Sequence, residues 1–377
     1  MKYEDYLEEA LQKVFEPEVK CLEGFKKMLI SRMKKLKEIF QTLPDSEELC
    51  KFLEEQSCNV EQLEKHWSSA QTCHLLQELL KSALERYVEL YEALKGNENF
   101  NELLKEIEAL DVKMIDTHTH YAHPKFDDTR EALLETFPEQ GIITVIEAAI
   151  GYESNFEILK LCEKYPYVYG ATGIHPMFVE TLDEEKFEKI ESLLSHEKVL
   201  AVGETGLDYS KRNDTAFIEV QKKWLKRFIE LALKHKLPLV IHCRDAYDDM
   251  IEIMSKYEFG NNPGIIHCFS GNAEHAKWFV DKGFFLGIGG KFLKNVDKNQ
   301  ELREIIKELP LESMVLETDA PYLKPDGVEG VCNTSLNLRY IVEELAKLKG
   351  VEQKVICDIT LENAKRYMQR GSADNER

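Results

Sequence analysis

The sequence predicts an α/β protein in which a (β/α)8 TIM barrel follows an all-α N-terminal region. From residue 111 onward, eight short β-branched or apolar runs alternate with amphipathic stretches, a pattern typical of parallel strands covered by helices. The segment 111–377 also has the size of such a barrel, which is typically about 250 residues. The candidate strands are Val112–Asp116, Gly141–Ala149, Val168–Gly173, Val199–Gly203, Leu239–Cys243, Gly264–Cys268, Phe284–Ile288 and Met314–Thr318.

Amphipathic segments fill the intervals between these strands and follow the last one. An open doubly wound sheet is the alternative architecture, but no Gly-x-Gly-x-x-Gly turn follows the first strand, so a dinucleotide-binding domain has little support. The predicted helices include Thr129–Phe137, Asn155–Lys164, Ala216–His235, Ala246–Tyr257, Ala273–Lys282, Leu336–Leu348 and Gln353–Met368.

Residues 1–110 are predicted to form a separate helical extension, either a bundle or a partner-binding appendage. Gly24 is the only glycine before position 95, and Pro17 and Pro44 are the only prolines there. One apolar stripe at three- and four-residue steps is formed by Leu76, Leu80, Ala83, Leu84, Tyr87, Tyr91 and Leu94. The extension shows no catalytic motif, so a protein partner is its expected ligand.

Charge and composition limit the function classes. The formal net charge is −20, of which residues 1–110 carry −8 and residues 111–377 carry −12. A broad basic face for long nucleic acid is therefore disfavoured, although a metal site can still make one pocket locally positive. No apolar run approaches the length of a membrane span, and the acidic N-terminus does not resemble a secretory signal. The expected location is the cytoplasm, without membrane contact.

Histidines and carboxylates stand at the carboxyl ends of five of the predicted strands. In a parallel barrel these ends form one rim, where active sites lie. The two histidines of a His-x-His pair leave their strand on one side, because alternate residues share a face. Each residue alone is more often a hydrogen-bonded polar group, but six on one rim predict a metal centre. The predicted ligands are His118, His120, Glu204, His242, His267 and Asp319.

Six ligands exceed the needs of a single catalytic ion, which typically keeps about three protein ligands and a water. We expect two divalent cations (zinc, manganese, magnesium or cobalt) that activate water, with Glu204 as the bridge between them. His118, His120 and Asp319 would complete one site, and His242 and His267 the other. Asp319 is also the expected proton acceptor. Two such ions outweigh two carboxylates and a hydroxide by one charge, which suits an anionic phosphodiester better than a neutral amide.

Two further residues on the same rim are predicted to contact substrate. His175 follows the third strand in Gly173-Ile174-His175-Pro176, and Arg244 follows the histidine of the fifth strand. An arginine fork matches the oxygens of a phosphate. A structural salt bridge is the competing interpretation for Arg244.

Together these motifs resemble the TatD family of metal-dependent DNases, within the amidohydrolase-like superfamily. The resemblance implies a TIM barrel, divalent metals at the six ligands, and hydrolysis of DNA phosphodiesters by an exonuclease-type reaction. It covers residues 112–370. The matching segments are Asp116-Thr117-His118-Thr119-His120, Gly173-Ile174-His175-Pro176, Gly203-Glu204-Thr205-Gly206-Leu207-Asp208, Ile241-His242-Cys243-Arg244-Asp245-Ala246, His267-Cys268-Phe269-Ser270-Gly271 and Glu317-Thr318-Asp319-Ala320-Pro321-Tyr322-Leu323.

The chain departs from that family at two places. After Leu323 it lacks the usual basic run and the Asn-x-Pro, and has Asn333-Thr334-Ser335 instead. The helical extension 1–110 is also foreign to the minimal family. The leading hypothesis is a DNase that acts on DNA ends or single-stranded DNA. Hydrolysis of a lactone, amide or aminoacyl ester at the same site is one alternative, and an interaction protein that uses the helical extension is another.

Overall fold

The computed structural model describes residues 112–328 and 330–369, which form an eight-stranded parallel barrel. Neighbouring strands pair in chain order from β1 to β8, so the (β/α)8 prediction is confirmed for this part of the chain. The helical prediction for residues 1–110 lies outside the described residues and stays a prediction. The strands are β1 Met114–Thr119, β2 Ile142–Ala148, β3 Val168–Thr172, β4 Val199–Asp208, β5 Leu239–Arg244, β6 Gly264–His267, β7 Phe285–Ile288 and β8 Met314–Leu316.

Helices connect successive strands and two more follow β8. Side-chain caps set several of their starts: Asp183 and Asp214 each accept a backbone N–H three residues ahead, and Asn272 forms a reciprocal capping box with His275. Within residues 112–369, none of the described helices has the length and apolar composition of a membrane span. The α-helices are α1 Arg130–Thr136, α2 Ser154–Lys164, α3 Glu184–Leu193, α4 Thr215–His235, α5 Tyr247–Met254, α6 Ala273–Asp281, α7 Gln300–Glu308, α8 Leu338–Lys349 and α9 Gln353–Tyr367.

Two apolar clusters hold this architecture together. The larger one lies where the helices pack on the outer face of the sheet. The smaller one takes buried side chains from every strand, for example Ile115, Val240 and Val315, and adds Tyr367 of α9. Contributions from all strands in turn fill the interior of a small barrel. Asn363 of α9 donates to the backbone at the start of β8, so α9 covers the amino ends of the strands and leaves their carboxyl ends open.

The seam between β1 and β8 closes the barrel with few backbone contacts. One parallel bridge joins Thr119 to Ala320. On either side of it, the N–H of His120 donates to the carbonyl of Ala320 at 2.8 Å, and the N–H of Asp319 donates to the carbonyl of His118 at 3.0 Å. This seam therefore brings both histidines of β1 beside the carboxylate that follows β8.

The buried carboxylate of Asp116 strengthens the same seam from within. One oxygen accepts the backbone N–H of Thr318 at 2.9 Å, and the other accepts the hydroxyls of Thr318 and Ser335, each at 2.6 Å. The backbone N–H of Thr318 donates to this carboxylate and not to a neighbouring strand. The next residue, Asp319, lies in the left-handed region of backbone conformation, with φ of 58°. The ladder of β8 consequently ends at Leu316, two residues before the predicted end.

Polar residues extend two strands beyond the bounds predicted from apolar runs. β1 continues through Thr119 and β4 through Asp208, where Asp116 and Gly203 had been the expected ends. These added residues are buried although polar, because they pair with neighbouring strands and point into hydrogen-bonded surroundings. In both strands the pairing register slips at the site-bearing stretch, between Asp116 and Thr119 and between Val202 and Thr205. Such irregularities re-aim side chains in a sheet.

We expect Asp116→Ala to lower the free energy of unfolding by roughly 2–4 kcal/mol, because it leaves buried donors of Thr318 and Ser335 without their acceptor. Asp116→Asn keeps one acceptor oxygen and should lose less. Chemical denaturation measures both, with the exposed Asp128→Ala as the matched control. Equal stability of Asp116→Ala and Asp128→Ala would contradict the role of this carboxylate in the seam.

Candidate metal centre

All six predicted ligands converge at the carboxyl end of the barrel. His118 and His120 come from β1 and its end, Glu204 from β4, His242 and His267 from β5 and β6, and Asp319 from the residues just after β8. Five of them line a cavity of about 650 Å³. The sixth, His118, is buried next to them, with its Nε2 atom 3.2 Å from Nε2 of His120. The volume is typical of a small-molecule site.

Glu204 occupies the middle of the cluster, with its two carboxylate oxygens facing different histidines. Its Oε2 lies 3.3 Å from His118 Nε2 and 3.7 Å from His120 Nε2. Its Oε1 lies 2.7 Å from His242 Nδ1, 3.7 Å from His175 Nε2 and 3.9 Å from His267 Nε2. The side chain is only 2% exposed. A carboxylate that turns one oxygen to each of two imidazole groups has the geometry of a bridge.

His118 and His120, which we call the first histidine group, lie against Asp319. The Oδ1 atom of Asp319 is 3.2 Å from His120 Nε2 and 4.0 Å from His118 Nε2. One nitrogen from each imidazole and one carboxylate oxygen thus lie close enough to share a single cation. The His-x-His prediction that both rings leave β1 on one side is correct for this structure.

His242 and His267 are spaced more widely than the first pair. Their ring centroids are 6.1 Å apart, and His267 stacks on His118 at 3.5 Å. His267 Nε2 lies almost equally far from Glu204 Oε1 and Asp319 Oδ1, at 3.9 and 3.8 Å. His267 therefore stands between the two groups, whereas His242 stands on the far side of Glu204.

Contacts behind the cluster hold three of the rings by one nitrogen and leave the other nitrogen facing the centre. His120 Nδ1 is 2.8 Å from the carbonyl of Ala148. His242 Nε2 is 3.2 Å from Asp208 Oδ2. His267 Nδ1 lies 3.0 Å from a carboxylate oxygen of Glu317, which is within ion-pair distance but out of line for a hydrogen bond. Outer contacts of this kind set the ring orientation and tautomer of metal-binding histidines.

Asp208 ends the motif Gly203-Glu204-Thr205-Gly206-Leu207-Asp208 and contacts His242, a positioning role that the residue pattern did not indicate. Its backbone N–H and C=O are both held by the side-chain amide of Gln221 from α4, at 2.9 and 3.0 Å. Its Oδ1 accepts from the backbone and hydroxyl of Ser210, so Oδ2 is left for His242. The signal available in the sequence was its place four residues after Glu204, at the end of the same strand. Glu317, two residues before Asp319, was missed in the same way.

The charges of the cluster compensate one another. Burial raises the pKa of Glu204, but the neighbouring imidazoles, first His175 and His118, and the hydrogen bonds from His118 and His242 outweigh it and hold the pKa well below its usual range. Burial lowers the pKa of His120 and His242, but Asp319 and Glu204 around the first and Asp208 and Glu204 around the second raise each to about 9. Without a cation, these two imidazoles are protonated at neutral pH and neutralise the carboxylates.

His175 lies on the rim near Glu204 as an uncharged hydrogen-bond donor. Its Nδ1 accepts the backbone N–H of Met177 at 3.1 Å, so the ring proton is on Nε2, which faces the cavity. Burial and the charge of His242 lower its pKa to about 3. His175 is thus a neutral imidazole whose Nε2–H is available to donate to an oxygen of a bound substrate.

Arg244 also lines the cavity, and its guanidinium is exposed. Among residues 112–328 and 330–369 no carboxylate lies within 4.0 Å of it, whereas four other described arginines form ion pairs, with Asp127, Glu180, Asp214, Glu184 and Glu344. Within this part of the chain the salt-bridge interpretation of Arg244 therefore lacks a partner.

The donor set fits divalent cations. Imidazole nitrogens and carboxylate oxygens are the ligands of zinc, manganese and cobalt in hydrolytic sites. At the point where the side chains converge, His118 Nε2 lies within 4.0 Å of His120 Nε2, Glu204 Oε2 and Asp319 Oδ1, a density of donor atoms that suits a cation. The residues that would hold the ions are the six predicted ones.

A barrel of this kind with a histidine and carboxylate centre at its carboxyl end defines the class of metal-dependent hydrolases. The chain belongs to the family described as TatD related DNase, whose family model matches residues 115–369.

The relatives support the same class. A Bacillus subtilis protein named uncharacterized metal-dependent hydrolase YabD is 34% identical over 254 residues, which cover 67% of this chain and 98% of that protein. The 3'-5' ssDNA/RNA exonuclease TatD of Salmonella typhimurium is 25% identical over 256 residues, covering 67% and 97%. Among solved structures, the TatD homologue YjjV of Escherichia coli aligns with a TM-score of 0.63 and 30% identity, covering 68% of this chain and 97% of that one.

Replacing Asp208 with Asn should weaken metal binding by roughly 10–100-fold, because His242 loses the charged acceptor that directs its other nitrogen to the centre. Calorimetric titration of zinc into metal-free protein measures this loss. The control is Asp245→Asn, the same charge change at an exposed position with positive φ that Asn tolerates. Wild-type affinity in both variants would show that Asp208 does not position the ring.

The metal-free protein should lose thermal stability as pH rises from about 6.5 to 9. Its His120 and His242 have pKa values raised to about 9, so the folded state holds more protons than the unfolded state over this window, and that stabilisation disappears as they dissociate. Cations replace these protons, so the metal-loaded protein should not show the loss. Scanning calorimetry between pH 6.5 and 9, with chelator and with zinc, measures the unfolding temperature of both forms. The same dependence of the unfolding temperature on pH in both forms would contradict the prediction.

Proposed function

We propose that the protein is a phosphodiesterase that trims the ends of single-stranded DNA, using two divalent cations bound on either side of Glu204. The observation that carries the proposal is the pair of contacts from Glu204, with Oε2 toward His118 and Oε1 toward His242. The proposed ligands are the six predicted from the sequence. When bound, the cations would lower the pKa of an attacking water and neutralise phosphate charge.

The two carboxylates have different surroundings and therefore different proposed roles. Glu204 is 2% exposed and is enclosed by imidazoles, so we assign to it the holding of cations and not the transfer of protons. Asp319 is 14% exposed and lines the cavity, so water can reach it. We assign to Asp319 the acceptance of the proton that the attacking water loses.

The rim residues supply contacts to the phosphate. His175 presents a fixed Nε2–H donor without a charge, and Arg244 presents an exposed guanidinium at the same cavity. A guanidinium binds two phosphate oxygens at once, and the imidazole donor adds a directed hydrogen bond to a third. Both contacts favour an anionic phosphodiester over a neutral amide or lactone.

The name of the Salmonella relative, a 3'-5' ssDNA/RNA exonuclease, supports a nucleic-acid substrate for this chain. Hydrolysis of a lactone, amide or aminoacyl ester remains the outcome that would overturn the proposal. Incubation of the metal-loaded protein with 5'- and 3'-labelled single strands, beside ester and lactone substrates, separates the two. Intact DNA together with a cleaved ester would exclude the nuclease.

Glu204→Gln should leave the barrel folded but reduce DNA hydrolysis strongly. The reduction should exceed the roughly 10–100-fold loss caused by substitutions of residues that only contact the metal ligands. The neutral amide cannot serve two cations, whereas His267→Ala removes a ligand from one side only. Metal content by mass spectrometry, kcat, and the unfolding midpoint are measured for both variants. Equal residual activity in Glu204→Gln and His267→Ala contradicts a shared bridge.

A further inference from the structure

Two exposed aromatic rings stand at the mouth of the cavity. Within the described part of the chain, Phe178 and Tyr322 are the aromatic side chains among the exposed large hydrophobic residues, at 46% and 38%. Both line the cavity that holds Glu204 and Asp319. The remaining exposed large hydrophobic residues of the described part are aliphatic and are not part of the cavity lining: Leu233, Val296, Val331, Val351 and Val355. Exposed aromatic surface gathered at one mouth indicates a ligand that covers it.

Tyr322 is a fixed platform beside the first histidine group. Its N–H donates to the carbonyl of Asp319 at 2.7 Å. Edge contacts to His120 and His123, with ring centroids at 6.0 and 5.8 Å, set its orientation. The exposed Lys125 places its ammonium over the ring, 5.2 Å from the centroid, so a base that stacks on this face would displace the ammonium toward its own phosphate.

Phe178 takes the corresponding place beside the histidines on the other side of Glu204. It belongs to the short 3-10 helix Pro176–Thr181 that follows β3. Its N–H donates to the carbonyl of His175 at 2.9 Å. The centroid of its ring lies 6.2 Å from the centroid of the His175 ring, in an edge-to-face contact. Each of the two histidine groups thus has one exposed aromatic ring beside it.

The charges at the mouth fit a phosphate backbone. Lys125, Lys211, Arg244 and Lys291 line the cavity, and among residues 112–328 and 330–369 none of these four pairs with a carboxylate within 4.0 Å, whereas Arg212 and Lys222 do. On a chain with a net charge of −20, this mouth is a local concentration of unpaired positive charge. Aromatic platforms together with a cationic groove are the usual way to bind single strands without reading their sequence.

We propose that Phe178 and Tyr322 stack on unpaired bases at the end of a nucleic-acid strand and so select single-stranded ends of any sequence. This inference rests on the proposed phosphodiesterase and adds to it the residues that recognise the bases. A paired end cannot offer the faces of its terminal bases to two rings without fraying, so blunt duplexes should bind more weakly. Since stacking does not read the 2'-hydroxyl, DNA and RNA strands should both bind.

The test separates the ring from the rest of the side chain. Phe178→Leu keeps an apolar side chain but removes the aromatic face, Phe178→Tyr keeps the face, and Leu233→Ala is the control at an exposed apolar position outside the cavity. Binding is measured by fluorescence anisotropy on phosphorothioate-linked pentanucleotides of DNA and of RNA, which resist hydrolysis, with normal or abasic terminal residues. Tyr322→Leu and Tyr322→Phe form the parallel set.

Stacking predicts that the leucine variants bind normal strands roughly 5- to 150-fold more weakly, the range for loss of one stacked base, while Phe178→Tyr, Tyr322→Phe and Leu233→Ala bind as the wild type does. Wild type should lose a similar factor on abasic strands, and the leucine variants should lose little more. Equal losses for the leucine variants on normal and abasic strands, or no loss on either, would overturn the proposal.

Hydrolysis of bis(p-nitrophenyl) phosphate by the wild type, measured apart from strand binding, reports on the proposed phosphodiesterase separately. If the wild type cleaves neither this ester nor DNA, the proposed function fails, while the anisotropy comparison still decides whether the rings bind bases.

Discussion

The central constraint of this structure is the burial of the Glu204 carboxylate. A charge that is 2% exposed is costly unless opposite charges or donors surround it. Here the surrounding groups are imidazoles carried by β1, β5 and β6 and by the loop after β3, each with a nitrogen within 4 Å of one of its oxygens. In the metal-free protein the compensation comes from protons on His120 and His242. Divalent cations can supply the same compensation, and this exchange is what links the stability of the barrel to its proposed chemistry.

The barrel makes that compensation geometrically available through its seam. Asp319 meets His118 and His120 only because β8 closes against β1, and the short ladder there depends on the carboxylate of Asp116. The hydrogen bonds of Asp116 tie together segments about two hundred residues apart in sequence. At the opposite end, Asn363 and Tyr367 of α9 cover the barrel floor. The fold therefore covers the amino end of the barrel and places its cluster of histidines and carboxylates at the other end, so that cations and water need reach only the open rim.

The sequence predicted the order of eight strands and the convergence of the six candidate ligands, because strand ends in a parallel barrel must share one rim. It did not predict the strand ends themselves at β1 and β4. Apolar runs mark where a strand enters the core, and they stop where buried polar residues such as Thr119 and Asp208 carry the pairing onward. Nor did it assign roles to Asp208 and Glu317, since their importance lies in which ring nitrogen they contact, a matter of orientation that residue spacing does not encode. The position of His267 between the two groups, stacked on His118, depends on ring geometry in the same way.

The acidity of the chain is consistent with a nucleic-acid substrate if binding is confined to one mouth. Counterion release along a long basic groove is the usual source of affinity for duplexes, and a net charge of −20 opposes it. Binding of a strand end requires fewer charged contacts. The lysine and arginine side chains at the mouth would hold a few phosphates, and the aromatic rings, which carry no charge, would cover the faces of the bases. Repulsion from the remaining surface then acts against internal stretches of a long polymer more than against its terminus. On this argument the acidic surface and the cationic, aromatic mouth are both compatible with the proposed substrate, a free single-stranded end.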